Sequence, residues 1–358
     1  MVRETIGLSP ELIIHPGETI AEAIEDRDMS QHDLAVRTGM TEKHISTVIN
    51  GQKNISPSFA KKLEYALGIS ASFWMNLQAN YDQEVLAFEE LNGVSDDELS
   101  ILHRLDNVTD RYRSFGFISE HGKPVELLLE YRKVLGMSNL LDIPKLSYCA
   151  AFRARKNMDC DPYILYAWQR MCELLTNNIN TSDQLDVNKL KDRIPDIKSV
   201  MFLSNNRINK SLTEIFSECG IAYNTVPYFT GAPVHGFIKK KEHGPVILCV
   251  TLRQRYADIF WFSLFHEIAH IINNDTKRQF IDFDSISGIN ESQADRLARD
   301  MLIDPDEYNI FVSGKGYTNV LEIKRFAEKQ KVKDFVVLGR LMNDKLIPWQ
   351  DRLKYDWA

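Results

Sequence analysis

The stretch Phe260 to Asn274, F-W-F-S-L-F-H-E-I-A-H-I-I-N-N, constrains the fold more than any other part of the chain. As a helix it would be apolar nearly all round, through Phe260, Trp261, Phe262, Leu264, Phe265, Ile268, Ala269, Ile271 and Ile272. Such a helix belongs in the interior of a domain. Yet it carries His266, Glu267 and His270 in H-E-x-x-H order, and buried polar groups without partners cost free energy. Residues four apart stand one above the other on a helix face. His266 and His270 can therefore close on one metal ion, with Glu267 beside them and able to reach a water there.

A second segment supplies what that site lacks. Asn290-Glu291-Ser292-Gln293-Ala294-Asp295-Arg296-Leu297-Ala298 reads as a helix start, with Asn290 as N-cap and Gln293 completing a capping-box-like pair. Zinc hydrolases with two His ligands take one carboxylate from a second helix and leave the fourth position to water. An outer carboxylate commonly holds a ligand imidazole by its other nitrogen. Glu291 suits the first role and Asp295, four residues on, the second. The plainer alternative is a solvated Glu and Asp on a helix's first turns. Asp275, Asp282 and Asp284 are rival ligands in the loop-like stretch between. With Zn²⁺ at this site, Glu267 is the catalytic carboxylate, a general base and then acid.

These two segments resemble the ImmA/IrrE family of zinc metallopeptidases: an aromatic and Ser-containing lead into H-E-x-x-H, then E-x-x-A-D with an apolar helix behind. By position the resemblance implies His266, His270 and Glu291 as zinc ligands and Glu267 as catalyst. Asp295 stands where Asn is commoner in the family. Gly220-Ile221-Ala222-Tyr223, Val234-His235-Gly236-Phe237-Ile238 and Pro245-Val246-Ile247-Leu248-Cys249-Val250 look like the short sheet that precedes the family's active-site helix. The resemblance covers roughly residues 200 to 345. Relatives cleave helix-turn-helix repressors, so the implied substrate is such a repressor, in trans or in this same chain. Peptide hydrolysis also needs a donor for the oxyanion, and His235, Tyr256, Arg255 and Arg340 are candidates.

The first 82 residues read as five short helices. Pro16-Gly17-Glu18 opens the first, Ser30 to Asp33 is a capping box, Gly39 ends the second, and Thr41 caps a third that stops at Gly51. Two short helices joined by a Gly-containing turn of three or four residues are the helix-turn-helix signature. Ile45, Val48 and Ile49 form the inward stripe of the third helix, leaving Glu42, Lys43, His44, Ser46 and Thr47 outward. Phe73, Trp74 and Leu77 on the fifth helix read as core or dimer packing. The run I-H-P-G-E-T-I, S-Q-H-D-L-A and I-S-T-V-I-N-G-Q-K-N-I-S resembles the XRE-type helix-turn-helix, in particular that of HigA-type antitoxins. The resemblance implies Gln31 at the phosphate backbone, Thr41, Lys43, His44, Ser46 and Thr47 toward the major groove, and Lys53 near phosphates. Residues 1 to 80 hold seven basic against ten acidic side chains. A monomer should therefore bind DNA weakly and with strong salt dependence, and a homodimer on a palindromic operator is expected.

The whole chain carries a net charge of −7, so any nucleic-acid contact is local. Five scattered cysteines, never in a C-x-x-C pair, argue against both a disulfide framework and a Cys-ligated metal, and fit a reducing cytoplasm. No run approaches the ~20 apolar residues of a membrane span. Helical spacing marks Val125 to Leu135, Pro162 to Thr176 and Val187 to Lys198, whereas Ser138 to Pro144 and Asn177 to Asp186 read as turns. Asp304-Pro305 should end the helix begun at Asn290, and Val320 to Lys329 and Phe335 to Leu341 read as further helices.

The expected architecture is mainly α with a small β-sheet (α+β). A helix-turn-helix domain occupies 1–82, a helical connecting region 83–200, and a zincin-like zinc peptidase domain 201–358. The expected function is a DNA-binding regulator carrying a zinc-dependent endopeptidase. The alternative is a HigA-like antitoxin and repressor whose C-terminal half binds a toxin or ligand without catalysis.

Overall fold

The computed structural model describes residues 12–146, 160–182, 184–240, 244–252, 257–274, 280–283 and 289–350. The chain is mainly α with one small sheet, as the sequence predicts. It divides into two compact units, one within Met1–Ser100 and His121–Glu130, the other within Ile101–Glu120 and Tyr131–Ala358.

The first unit begins with α1 (Pro16–Glu25), α2 (Gln31–Thr38), α3 (Glu42–Ile49), α4 (Pro57–Leu67) and α5 (Ala71–Gly93). Side chains written into the sequence set the helix ends. Ser30 and Asp33 form a reciprocal capping box on α2, the hydroxyls of Thr41, Ser56 and Ser70 accept from the amides of His44, Phe59 and Phe73, and Gly39 closes α2 at φ +63°. Ile20, Leu34, Ile45, Val48, Phe59, Leu63 and Trp74 fill the core. Gly17 lets α1 approach α3 closely, because a β-carbon there would stand 2.1 Å from the Val48 carbonyl oxygen. The fifth helix does not stop near residue 82 but continues to Gly93. Gln78, buried on it, accepts from the Ile55 amide and donates to Asp82 at 2.9 Å, which ties α5 to the loop after α3.

Next in the chain come α6 (Asp96–Ser114) and α7 (Pro124–Leu135). Ser138 to Pro144, expected as a turn, contains a 3-10 helix over Leu140–Lys145, opened by Asn139 as its N-cap. The second unit continues with α8 (Pro162–Thr176), α9 (Val187–Asp192), α10 (Ile194–Ser199) and α11 (Asn205–Glu218). The single helix expected over Val187 to Lys198 is broken at Arg193, because Pro195 removes an amide and its ring crowds the preceding turn.

A four-stranded sheet follows: β1 (Ile221–Pro227), β2 (Val234–Lys240), β3 (Val246–Leu252) and, later, β4 (Phe280–Phe283). Its order is β1-β3-β2-β4, with β1 parallel to β3 and the other pairs antiparallel. Three of these strands match the expected ones; β4 falls where a loop was expected and carries Asp282. Helix α12 (Ala257–Ile272) covers one face, packing Trp261, Leu264, Phe265 and Ile268 into a core with Tyr223, Ile238, Leu248 and Val250. The opposite face is covered by α8. There Trp168 meets Phe237 edge-on at 6.0 Å, and Asn224 donates to the Leu175 carbonyl at 3.3 Å. Residues 160–200 thus pack into the second unit rather than serving as a connector.

Helix α13 (Ile289–Leu302) packs along α12. It begins at Ile289, so Asn290, expected as the N-cap, lies inside the helix. Asp304 caps a further helix, α14 (Pro305–Ser313), with Pro305 at its first position. Then come α15 (Val320–Lys329) and α16 (Asp334–Asn343), which packs against α12.

Candidate metal centre

Helix α12 is buried along most of its length, and its polar trio goes in with it: His266 is 6% exposed, Glu267 and His270 are 0%. Glu291, in the first turns of α13, is 9% exposed. Their ligand atoms converge. Nε2 of His266 and Nε2 of His270 are 3.0 Å apart, and Oε2 of Glu291 lies 3.2 Å from the first and 3.5 Å from the second. A tetrahedral ion with bonds of about 2.0–2.1 Å has ligand–ligand edges of about 3.3–3.4 Å. The three atoms therefore outline one face of such a tetrahedron. They are the one cluster of metal-ligating type among the described residues, and its side chains are all buried. The side chain of Asp282 and the residues Asp275 and Asp284, the rival ligands, lie outside what the structure describes.

The electrostatics agree with that arrangement. Burial alone would raise the Glu291 carboxyl, but its hydrogen bonds to His266 and His270 outweigh burial and bring it down to about 2. Oδ1 of Asp295 stands 2.9 Å from Nδ1 of His266. With the proton on Nδ1, where the charge of that nearby carboxylate favours it, the Nε2 lone pair is free for the ligand position.

Glu267 points toward the sheet. A β-carbon on Gly236 would stand 1.9 Å from Glu267 Oε1, so this carboxylate lies against the bare backbone of β2. Sequence reasoning passed over Gly236, although a glycine inside a strand pattern signals close approach of another group. One residue earlier, the β2–β4 register slips between Val234 and Gly236. A bulge re-aims a side chain that strict alternation would send to the other face. His235 accordingly lines the same cavity as His266 and Glu291.

That cavity has a volume of about 590 Å³ and runs along one face of α12, from His266 past Phe262 to Asp258. Arg299, Arg340 and Trp349 also line it. Arg340, a candidate for the oxyanion, is largely committed elsewhere. It lies over the Tyr308 ring at 3.9 Å, donates to the Arg299 and Ile303 carbonyls at 3.4 Å, and approaches Asp344. Tyr256 and Arg255 lie outside the described residues. Asp258, Arg299 and Trp349 carried no motif and were not legible as site residues.

In the first unit, three residues separate α2 from α3, and of the expected α3 stripe Ile45 and Val48 are buried and Ile49 is partly buried. The chain matches the helix-turn-helix family over residues 20–74. Residues 20–74 are a helix-turn-helix domain of the XRE type. On that match the chain is a DNA-binding regulator. Solved structures similar to it include antitoxin HigA of Pseudomonas aeruginosa with the higBA promoter, 32% identical over 22% of this chain and 86% of that one, TM-score 0.21. An antidote protein of a plasmid maintenance system from Nostoc punctiforme is 28% identical over 30% of this chain and 97% of that one, TM-score 0.19. An addiction-module antidote protein of the HigA family from Coxiella burnetii is 25% identical over the same shares, TM-score 0.19. A comparison with curated proteins finds no match.

Within the helix-turn-helix domain, Gln31, Thr41, Lys43 and Lys53 are exposed, as expected of DNA-facing residues. His44, Ser46 and Thr47, expected outward, are only half-exposed. The His44 ring packs edge-on against Phe59 at 5.0 Å, and its Nδ1 lies 3.2 Å from Lys53 Nζ. Burial, then the charges of Lys53 and Lys62, lower its pKa, so the neutral ring accepts from Lys53. Thr47 Oγ1 donates to the His44 carbonyl, and Thr41 is engaged as the N-cap. Lys43, Lys53 and Lys62 gather positive charge around α3 in a region that is acidic in sum. Among the described residues, no helix is long and apolar enough to cross a membrane.

Proposed function

We propose that this regulator carries a zinc-dependent endopeptidase, with His266, His270 and Glu291 as the metal ligands. The observation that supports it most is the triangle of donor atoms, 3.0, 3.2 and 3.5 Å on its sides, buried beside a cavity of about 590 Å³. Such a reading matches the ImmA/IrrE resemblance of the same residues. Zn²⁺, when bound, polarises the scissile carbonyl and lowers the pKa of water toward about 7.

The chain's own side chains do the rest. Glu267 takes a proton from the attacking water as its oxygen adds to the carbonyl carbon, then gives that proton to the leaving nitrogen as the C–N bond breaks. Its seat against Gly236 fixes the carboxylate on the β2 side. Asp295 holds the His266 ring in the tautomer a ligand needs. His235, turned into the cavity by the bulge, is the donor best placed for the developing oxyanion. The substrate class is a helix-turn-helix repressor, in trans or this chain itself. DNA is engaged by the N-terminal domain as a homodimer on a palindromic operator.

The test is cleavage in cells holding the wild type or Glu267→Gln, read by proteomics of new peptide termini. Termini present only with the wild type support the peptidase. Identical termini in both would leave the second reading, an antitoxin-like repressor whose C-terminal unit binds a toxin or ligand. That reading is favoured by the helix-turn-helix match over residues 20–74.

A further inference from the structure

The lining of the cavity beside the metal centre holds two guanidinium groups, those of Arg299 and Arg340, as well as the carboxylates of Asp258, Glu291 and Asp295. Arg299 sits on α13 eight residues beyond Glu291 and lines the cavity. On a helix, Asp295 and Arg299 have the spacing and order of a favourable i,i+4 ion pair. Asp295 forgoes that pair, because its carboxylate is turned to His266 Nδ1 at 2.9 Å. Among the described residues the Arg299 side chain has no hydrogen bond and no ion pair, and Asp258, also in the lining, forms none with it.

A second guanidinium stands close by. Arg340 lines the same cavity and donates to the Arg299 carbonyl at 3.4 Å. Burial lowers the Arg340 pKa, Tyr308, Asp344 and Asp300 act against it, and the Arg299 charge adds the smallest lowering effect. Arg340 has Asp344 beside it, so the guanidinium that an entering anion would stabilise is that of Arg299.

We propose that Arg299 is a specificity-determining residue that binds a carboxylate of the substrate peptide. This rests on the peptidase reading above. Eight residues of helix rise about 12 Å, which an extended peptide spans in about three to four residues. The carboxylate therefore belongs to a residue about three or four positions from the scissile bond. It is supplied by an Asp or Glu side chain, or by a chain terminus at that place. The apolar remainder of the lining, Phe262, Leu302, Ile303 and Val336, accepts the intervening side chains.

The experiment uses the full zinc-loaded chain and peptide hydroxamates, whose chelating group docks at the metal. Each carries Glu, Gln or Lys two, three or four residues from the chelator, with both ends blocked. A further set carries a free C-terminal carboxylate at those places. Calorimetry should show the Glu peptide binding about tenfold tighter than its Gln twin at one position. Arg299→Ala should bring that ratio to about one, Arg299→Lys restore part of it, and Arg299→Glu reverse it in favour of Lys. If only the free-terminus set discriminates, the carboxylate is a chain end. Equal affinities at every position with zinc in place, or a Glu preference that survives Arg299→Ala, would overturn the proposal. A chain that binds no zinc sinks this proposal and the peptidase reading together. Discrimination without hydrolysis of the matching amide peptide would sink the peptidase reading alone.

Discussion

Gly236 on β2 has no side chain where the Glu267 carboxylate lies: a β-carbon there would stand 1.9 Å from Oε1, 2.3 Å from Cδ and 2.6 Å from Cγ. The catalytic candidate is thus seated by an absence in a neighbouring strand. Gly236→Ala must displace Glu267, β2 or both. Forced overpacking of this kind costs about 1–3 kcal/mol. The expected outcome is zinc content near that of the wild type with peptide cleavage reduced at least tenfold. Metal analysis beside a cleavage assay checks it, and unchanged cleavage would contradict the seating argument.

Asp295 should act through His266. Removal of a carboxylate that orients a ligand imidazole commonly costs 10–100-fold in metal affinity. Asp295→Ala is therefore expected to weaken zinc binding by about that factor in a chelator competition titration. Asp295→Asn, which keeps an acceptor toward Nδ1–H, should lose less.

The helix-turn-helix domain should respond to acid through His15. Its Nδ1 accepts the Gly17 amide at 2.9 Å and caps α1, while its ring meets Tyr81 edge-on at 4.7 Å. Burial lowers its pKa below the ordinary 6.5, outweighing the raising effects of Asn54, Asp82 and Glu18. A depressed histidine favours the folded state while both forms are neutral. Its contribution is full above 6.5 and declines below it, as the unfolded chain takes up the proton first. Hydrogen exchange at α1 and α3 should therefore speed up between pH 6.5 and 5, and an His15→Gln variant should flatten that dependence.

Lys53 should contribute a phosphate contact. It is exposed and held beside His44 near the end of α3. Lys53→Ala is expected to weaken operator and non-operator DNA alike and to lower the salt slope of log K by about 1. A selective loss on operator DNA would instead mark Lys53 as a base reader.

Much of this was legible in the sequence where chemistry restricts the residue types. The pair His266 and His270, with Glu291 on the next helix, needs only helix periodicity and the ligand preferences of zinc to be placed. Ser30, Gly39 and Thr41 mark helix ends because caps require those side chains or that backbone freedom. What escaped depends on pairings between distant segments. His235 enters the cavity through a bulge against β4, and residues 280–283 read as a loop. Among the described residues Arg299 forms no ion pair, because Asp295 turns to an imidazole on another helix. Asp304-Pro305 reads as a stop, and it is also the start of α14, since Asp304 accepts the Glu307 amide at 2.9 Å.

The central claim is that two imidazoles and one carboxylate hold a single ion. X-ray absorption at the zinc edge, on the full chain purified without added metal and then titrated with zinc, tests it most directly. The account predicts about one zinc per chain in an all-nitrogen and oxygen shell at about 2.0–2.1 Å, lost in both His270→Ala and Glu291→Ala. A sulfur shell near 2.3 Å, or stoichiometric zinc that persists in those variants, would contradict it.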